Sequence, residues 1–280
     1  MTEEQALNGD TALSLLYQSG NPFTEDLQHS WSENAFPPFN VPFLRIWDRK
    51  SGSQPDNERR MRSRAPRQPL DTRESRKNSL VIHINHGIWE PTPYISFTTS
   101  AAAIEEQAYW RAGRQRGSQT LTVVDPNTRI ADRLPILDVL AEMDHYGIED
   151  PYGKSNQYYI DHYVCLWEVP EQEIIGHWEW NDLALNANWY NDIILPAFRE
   201  NATSRRLEEE TSGLLAAMNQ LSFHDDSDHS DSTHHYYGDS DSSDEGTTCY
   251  FDEELLYDTD DEVEEANAAD DMLKIIEGDW

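Results

Sequence analysis

The sequence predicts an α+β fold, in which helices flank a mostly antiparallel sheet and a disordered acidic tail follows. Three observations lead there. Segments with strand-like alternation outnumber those with helical spacing, and they crowd toward the end of the ordered region. They do not alternate with helices as a βαβ array would. Beyond residue 206 the composition changes, with 24 acids against the single base Lys274 over residues 207–280.

Taken in order, residues 1–40 read as an N-terminal segment. Ala6, Leu13, Leu15, Leu16 and Tyr17 form a short helical pattern interrupted at Asn8-Gly9 and ended at Gly20-Asn21-Pro22. Such a helix is too short to stand alone and must dock. The prolines of WSENAFPPFNVPFLRIWD forbid helix and predict an extended lead-in to a strand over Pro42 to Trp47. An α+β domain is expected over residues 41–202.

Within it, residues 49–78 carry ten bases against four acids (Asp56, Glu58, Asp71 and Glu74), with few apolar residues to bury. The composition predicts a disordered basic insert. Its run RRMRSRAPR admits three readings: a solvated loop that pairs with the acidic tail, a nuclear-import signal, or a nucleic-acid contact.

SLVIHI and PYISFT then alternate as strands, and AAAIEEQAYWRAGRQRG has helical spacing up to Gly117. QTLTVVD is a β-branched strand closed by the turn signal Asp125-Pro126-Asn127. ADRLPILDVLAEMDHYG predicts a second helix, with Pro135 in its first turn, Ile136, Leu137, Leu140 and Met143 on one face, and Gly147 as C-cap. QYYIDHYVCLWEV and EIIGHWEW read as hairpin partners across Pro170. The last ordered helix falls in NDLALNANWYNDIILPAFREN, packing through Leu185, Trp189, Ile193 and Phe198; its Trp-rich beginning reads as a core seam rather than a ligand cage. Residues 203–280 form the acidic tail, mostly disordered, with short helical islands at YFDEELLY and MLKIIEGDW whose composition suits docking either in a partner's groove or back on the parent domain.

Charge and cysteine usage limit the function classes. A formal charge of -32 repels nucleic acid and anionic membranes through its mean field. Cys165 and Cys249 stand in unrelated contexts, which fits a reducing, intracellular compartment, cytoplasmic or nuclear. No segment reaches the roughly 18 consecutive apolar residues of a membrane span, and no secretory leader is evident, so a soluble protein is expected. His83-x-x-His86 lacks a third ligand nearby, and no metal site is assigned. Ser222 and Ser242 each precede an acid by three residues and suit an acidophilic kinase.

One stretch invites a site. Thr98, Thr99 and Ser100 stand where a strand pattern passes into a helix pattern, and Ser100 is placed to cap the helix that starts at Ala101. The capping box is incomplete, since residue 103 is Ala.

FLRIWD, PYISFTTS before a helix, and VPEQEIIGHW after a late strand resemble a family of fungal domains of unknown function, over roughly residues 41–180. Their order is also similar to that of the ADP-ribosyltransferases, whose split antiparallel sheet binds NAD. The resemblance implies Arg45 as the pyrophosphate-binding arginine and Thr98, Thr99 and Ser100 as the hydroxyl triplet near the nicotinamide ribose. Where that superfamily carries its catalytic glutamate, this chain has Asp161, His162 and Tyr163, and the nearest glutamate is Glu168. Asp161 is therefore the substitute acid, one methylene short. The leading expectation is a non-catalytic binding or regulatory module that meets a protein partner through its acidic tail. The alternatives are a divergent NAD-dependent ADP-ribosyltransferase and a nuclear regulatory protein acting through that tail.

Overall fold

The sheet follows from alternation. In a computed structural model, which describes residues 7–17, 24–33, 36–57, 59–85, 88, 90–153 and 156–221, the strands are β1 (Phe43–Asp48), β2 (Met61–Arg62), β3 (Tyr94–Thr98), β4 (Gln119–Val124), β5 (Ile136–Asp138), β6 (His162–Leu166), β7 (Glu168–Val169) and β8 (Ile174–Glu179). Six of them make one sheet, in the order β5-β6-β3-β1-β4-β8, with every neighbouring pair antiparallel. β2 and β7 form a separate two-stranded ladder. The helices are α1 (Gly9–Leu16), α2 (Glu25–Gln28), α3 (Arg73–Ile84), α4 (Ala101–Gly113), α5 (Pro126–Ala131), α6 (Val139–Tyr146), α7 (Trp180–Leu183) and α8 (Leu195–Leu221), the last entered through a π-helical turn at Tyr190–Ile194.

Side chains alternate between faces along each strand. Leu44, Ile46, Leu121 and Val123 leave one face and meet Ile104 and Ala108 of α4, with Trp189 and Ile194 completing the cluster. On that same face Tyr94, Val164 and Leu166 join Leu16, Leu80 and Met143 from α1, α3 and α6. The opposite face carries Phe43, Ile95, Phe97, Val124 and Cys165, covered by Met61 and Val169 of the small ladder and by Phe36 and Phe39. The large apolar side chains close to full burial in these patches are each worth about 1.5–3 kcal/mol against exposure.

The structure departs from the sequence reading at five places. SLVIHI belongs to α3, not to a strand: Thr72 and Ser75 form a reciprocal capping box, and Arg76, Ser79, Leu80 and Ile84 fall at helical spacing on the buried face. The alternation seen in six residues is the tail of that longer pattern. Residues 49–57 and 59–78, which make up the insert expected to be disordered apart from one position outside the described residues, are built into the fold. Met61 and Leu70 are fully buried, Ser63 N–H bonds the Trp167 carbonyl, and Leu70 N–H bonds that of Leu15. Hydropathy hides this, because the buried side chains include Arg60 and Arg76, which are placed by carboxylates rather than by apolar contact.

The helix expected over residues 131–147 divides. Asp125 caps α5 with Pro126 in its first turn, Ile136–Asp138 is β5, and Asp138 caps α6, which does end at Gly147 with a φ of 58°. Pro135 lies outside all three elements, its carbonyl taken by Arg129. Finally, β8 pairs with β4 and not with the preceding strand. Trp167, at φ 63°, turns the chain out of β6, and β7 then pairs with β2 before the chain crosses to the far edge. In the closing helical region Trp189 and Phe198 are buried as expected and Ile193 is partly so, but Leu185 is 85% exposed.

Buried charge ties these parts together. Arg129, with no exposed surface, donates to the carbonyls of Pro135, Leu166 and Glu168 and to both carboxylate oxygens of Glu173 at 3.0 Å. Burial pushes Glu173 up to about 7, against the pull of Arg129. Asp48 holds the end of β1 to α4 through Arg111 at 2.7 Å and to the segment after α4 through Arg116 at 2.8 Å. Burial works against its charge, but the Lys50 N–H and the two guanidinium groups outweigh it and bring its pKa below the ordinary value.

Truncating one member of a buried pair strands the other. Arg129→Met should cost about 3–5 kcal/mol in urea denaturation, because Glu173 and three carbonyls lose their donor. For Asp48, a folded pKa below the unfolded value of about 3.8 means that its contribution is present above that pH and is lost as pH falls through the folded value. Stability measured from pH 6 to 2 should therefore decline below about pH 4, and Asp48→Asn should be less stable at neutral pH with a shallower acid decline.

Candidate functional site

The middle of the sheet is where the sequence places its site, and there the strands separate. β1 and β4 pair over six positions and β3 and β6 over five, whereas β1 and β3 meet only at Leu44 and Thr98. Past that point Arg45 spans the opening. Its guanidinium donates to the Ser96 carbonyl at 3.0 Å and reaches the Ser53 carbonyl at 3.5 Å, and the residue is 3% exposed. Arg45 thus substitutes a side chain for ladder hydrogen bonds and fastens the loop carrying Ser53 to the sheet.

Register decides which candidates share a surface. Leu44 stands opposite Thr98, so Thr98 lies on the face of Leu44, while Arg45 lies on the other with its cross-strand neighbours Thr122 and His177. On that second face Trp47 Nε1 donates to Thr122 Oγ1 at 2.8 Å, and Thr122 Oγ1 is 2.8 Å from His177 Nδ1. Burial, with Arg59 adding to it, lowers the His177 pKa.

The hydroxyl triplet has local partners. Ser100 Oγ accepts the Ala103 N–H and caps α4, and Thr98 Oγ1 accepts the Ser100 N–H. Thr99 N–H bonds the Asp161 carbonyl at 3.2 Å, so the triplet and Asp161 are adjacent through the backbone. Asp161 itself is exposed and sits at φ 58°, on the turn before β6. Triplet and aspartate are brought together; Arg45 is not brought to their face.

A second group of polar side chains lies on the helix-covered face of β3. His83 of α3 places Nε2 2.8 Å from Ser96 Oγ and Nδ1 3.0 Å from Thr92 Oγ1, with its ring tilted against Tyr94. Thr92 is 6% exposed, while His83 and Ser96 are half-buried. Sequence reasoning reached His83 only as half of a metal pair, and His86 lies outside the described residues. Nothing local links a histidine to a serine 13 positions on; only the docking of α3 on β3 does. Among the described residues no group of three or more His, Cys, Asp or Glu side chains is arranged to hold a metal ion, and no helix is long and apolar enough to cross a membrane. The acidic tract, the islands at 250–257 and 272–280, and Ser222 and Ser242 all lie outside the described residues.

Comparison with known families finds a match to a domain of unknown function, DUF7587, over residues 42–183. Comparison with curated proteins and with solved structures finds no match. The matched span runs from the residue before β1 to the end of α7 and includes Arg45, the triplet, Ser96, His83 and Asp161.

If Ser100 acts as a helix cap, Ser100→Ala should lower stability by about 1 kcal/mol, and Ser100→Asp or Ser100→Asn should restore it. Thermal or chemical denaturation of the three variants measures this directly.

Proposed function

Since the chain belongs to the DUF7587 family through residues 42–183, we propose that it is a binding and regulatory module, non-catalytic toward NAD, built on an ADP-ribosyltransferase-like arrangement of strands. One observation carries the reading. The guanidinium that would hold a dinucleotide pyrophosphate is 3% exposed, is engaged with two backbone carbonyls, and leaves the sheet on the face opposite Thr98. Taking it for a ligand would reopen the gap between β1 and β3. A phosphate-binding arginine needs its fork free to meet two oxygens at once, and this fork is committed within the fold.

On this reading Ser100 and Thr98 organise the start of α4, and Asp161 supports the turn into β6. A protein partner is met through the acidic segment beyond α8, where residues 222–280 hold 21 acids and one base. Charge of that density suits a basic protein surface and disfavours nucleic acid. The NAD-dependent alternative draws on the backbone contact between Thr99 and Asp161, which brings the triplet's segment next to that of the aspartate.

Nicotinamide release from NAD separates the two. The full chain should release none above the buffer rate, and Arg45→Met should lower the melting temperature without changing that result. Release by the wild-type chain that disappears in a folded Arg45→Met or Asp161→Asn variant would overturn the proposal.

A further inference from the structure

Ser96, His83 and Thr92 stand in the relation of nucleophile, base and orienting group, and neither the family match nor the NAD resemblance assigns them. We propose that Ser96 is a nucleophilic serine that takes the acyl group of a small carboxylic ester and passes it to water. This goes beyond the binding-module reading and does not rest on it, because it involves neither Arg45 nor the acidic segment.

The geometry comes first. A serine hydroxyl becomes a nucleophile when a base within hydrogen-bonding reach removes its proton and a third group fixes the base. Ser96 Oγ is 2.8 Å from His83 Nε2, and His83 Nδ1 is 3.0 Å from Thr92 Oγ1. In the tautomer with the proton on Nδ1, that N–H donates to Thr92 and Nε2 is left to accept the Ser96 proton. Each partner comes from a different part of the fold: His83 from α3, Ser96 from β3 and Thr92 from the segment before β3. The ring is held against Tyr94, which is 2% exposed. Thr92 is anchored in turn by its carbonyl, which accepts the Ala65 N–H.

The chemistry balances without a cofactor. Ser96 Oγ forms a bond to the ester carbonyl carbon while its proton passes to His83 Nε2. The bond from that carbon to the alcohol oxygen breaks, and the departing oxygen takes the proton from His83. Water then gives a proton to the same nitrogen, its oxygen attacks the acyl carbon, and the Ser96 Oγ bond breaks with return of the proton. The products are an acid and an alcohol.

Thr92 cannot stabilise an imidazolium as a carboxylate would, and loss of the carboxylate in Ser-His-Asp enzymes costs about 10⁴ in rate. Turnover should accordingly be slow, so the decisive experiment reads the covalent step. The full chain is incubated with an alkyl fluorophosphonate, whose phosphorus bonds Ser96 Oγ as fluoride leaves, and the adduct is located by peptide mass mapping. One adduct at Ser96 is expected, absent in Ser96→Ala. His83→Gln should slow labelling at least about a hundredfold, and Thr92→Val should slow it by less, since the base itself stays in place. A wild-type chain with no adduct at Ser96 overturns the proposal, even if His83→Gln fails to fold. So does labelling of Ser96 at an unchanged rate in a folded His83→Gln.

Discussion

The fold depends first on the buried pairing of Arg129 with Glu173. A guanidinium with no exposed surface collects three carbonyls and a carboxylate from the approach to β5, the exit of β6, β7 and the turn before β8. Those segments make the sharpest change of direction in the chain, where β6 gives way to the small ladder and the chain crosses to the far edge. Carbonyls at such a corner have no neighbouring strand to satisfy them, and an unpaired buried carbonyl is costly. One arginine serves three of them. The Asp48 cluster and the Arg76–Asp26 pair, with Arg76 stacked on Trp31 at 4.3 Å, do comparable work at the sheet end and beneath the N-terminal helices.

The same device recurs at Arg45, on a smaller scale. Where β1 and β3 part, the ladder leaves the Ser96 carbonyl without a cross-strand N–H, and a side chain supplies the donor. An arginine used so is a mortar between strands, which is why its place on the first strand says little about a ligand. The two helix-side apolar clusters divide near this opening, along a strip where β3 presents Ser96 and Thr98. Polar side chains collect there, with His83 of α3 on Ser96 and Thr98 on the Ser100 N–H.

Much of the architecture was legible in the sequence, and the failures share a cause. The α+β class, the antiparallel sheet, β1, β3, β4 and β6, the helix after Ser100 and the Gly147 cap all follow from local pattern and turn chemistry, which short-range sterics enforce. Residues 49–78 and the pairing of β8 do not, because charge pairing between distant residues decides them: Arg60 with Glu168, and Arg129 with Glu173. A hydropathy pattern counts an arginine as exposed whether or not a carboxylate waits for it. The candidate site was legible only where local: the cap of Ser100 could be read, whereas the face on which Arg45 lies depends on a register set by long-range pairing, and the contact of His83 with Ser96 on helix docking.

The 27 residues of α8 end at Leu221, and at 1.5 Å per residue that helix spans about 40 Å. Its first part does not stand free: Asn201 and Arg205 both reach the carboxylate of Asp125, the cap of α5. One carboxylate thus serves two helices, capping α5 and setting the line along which the first three turns of α8 run.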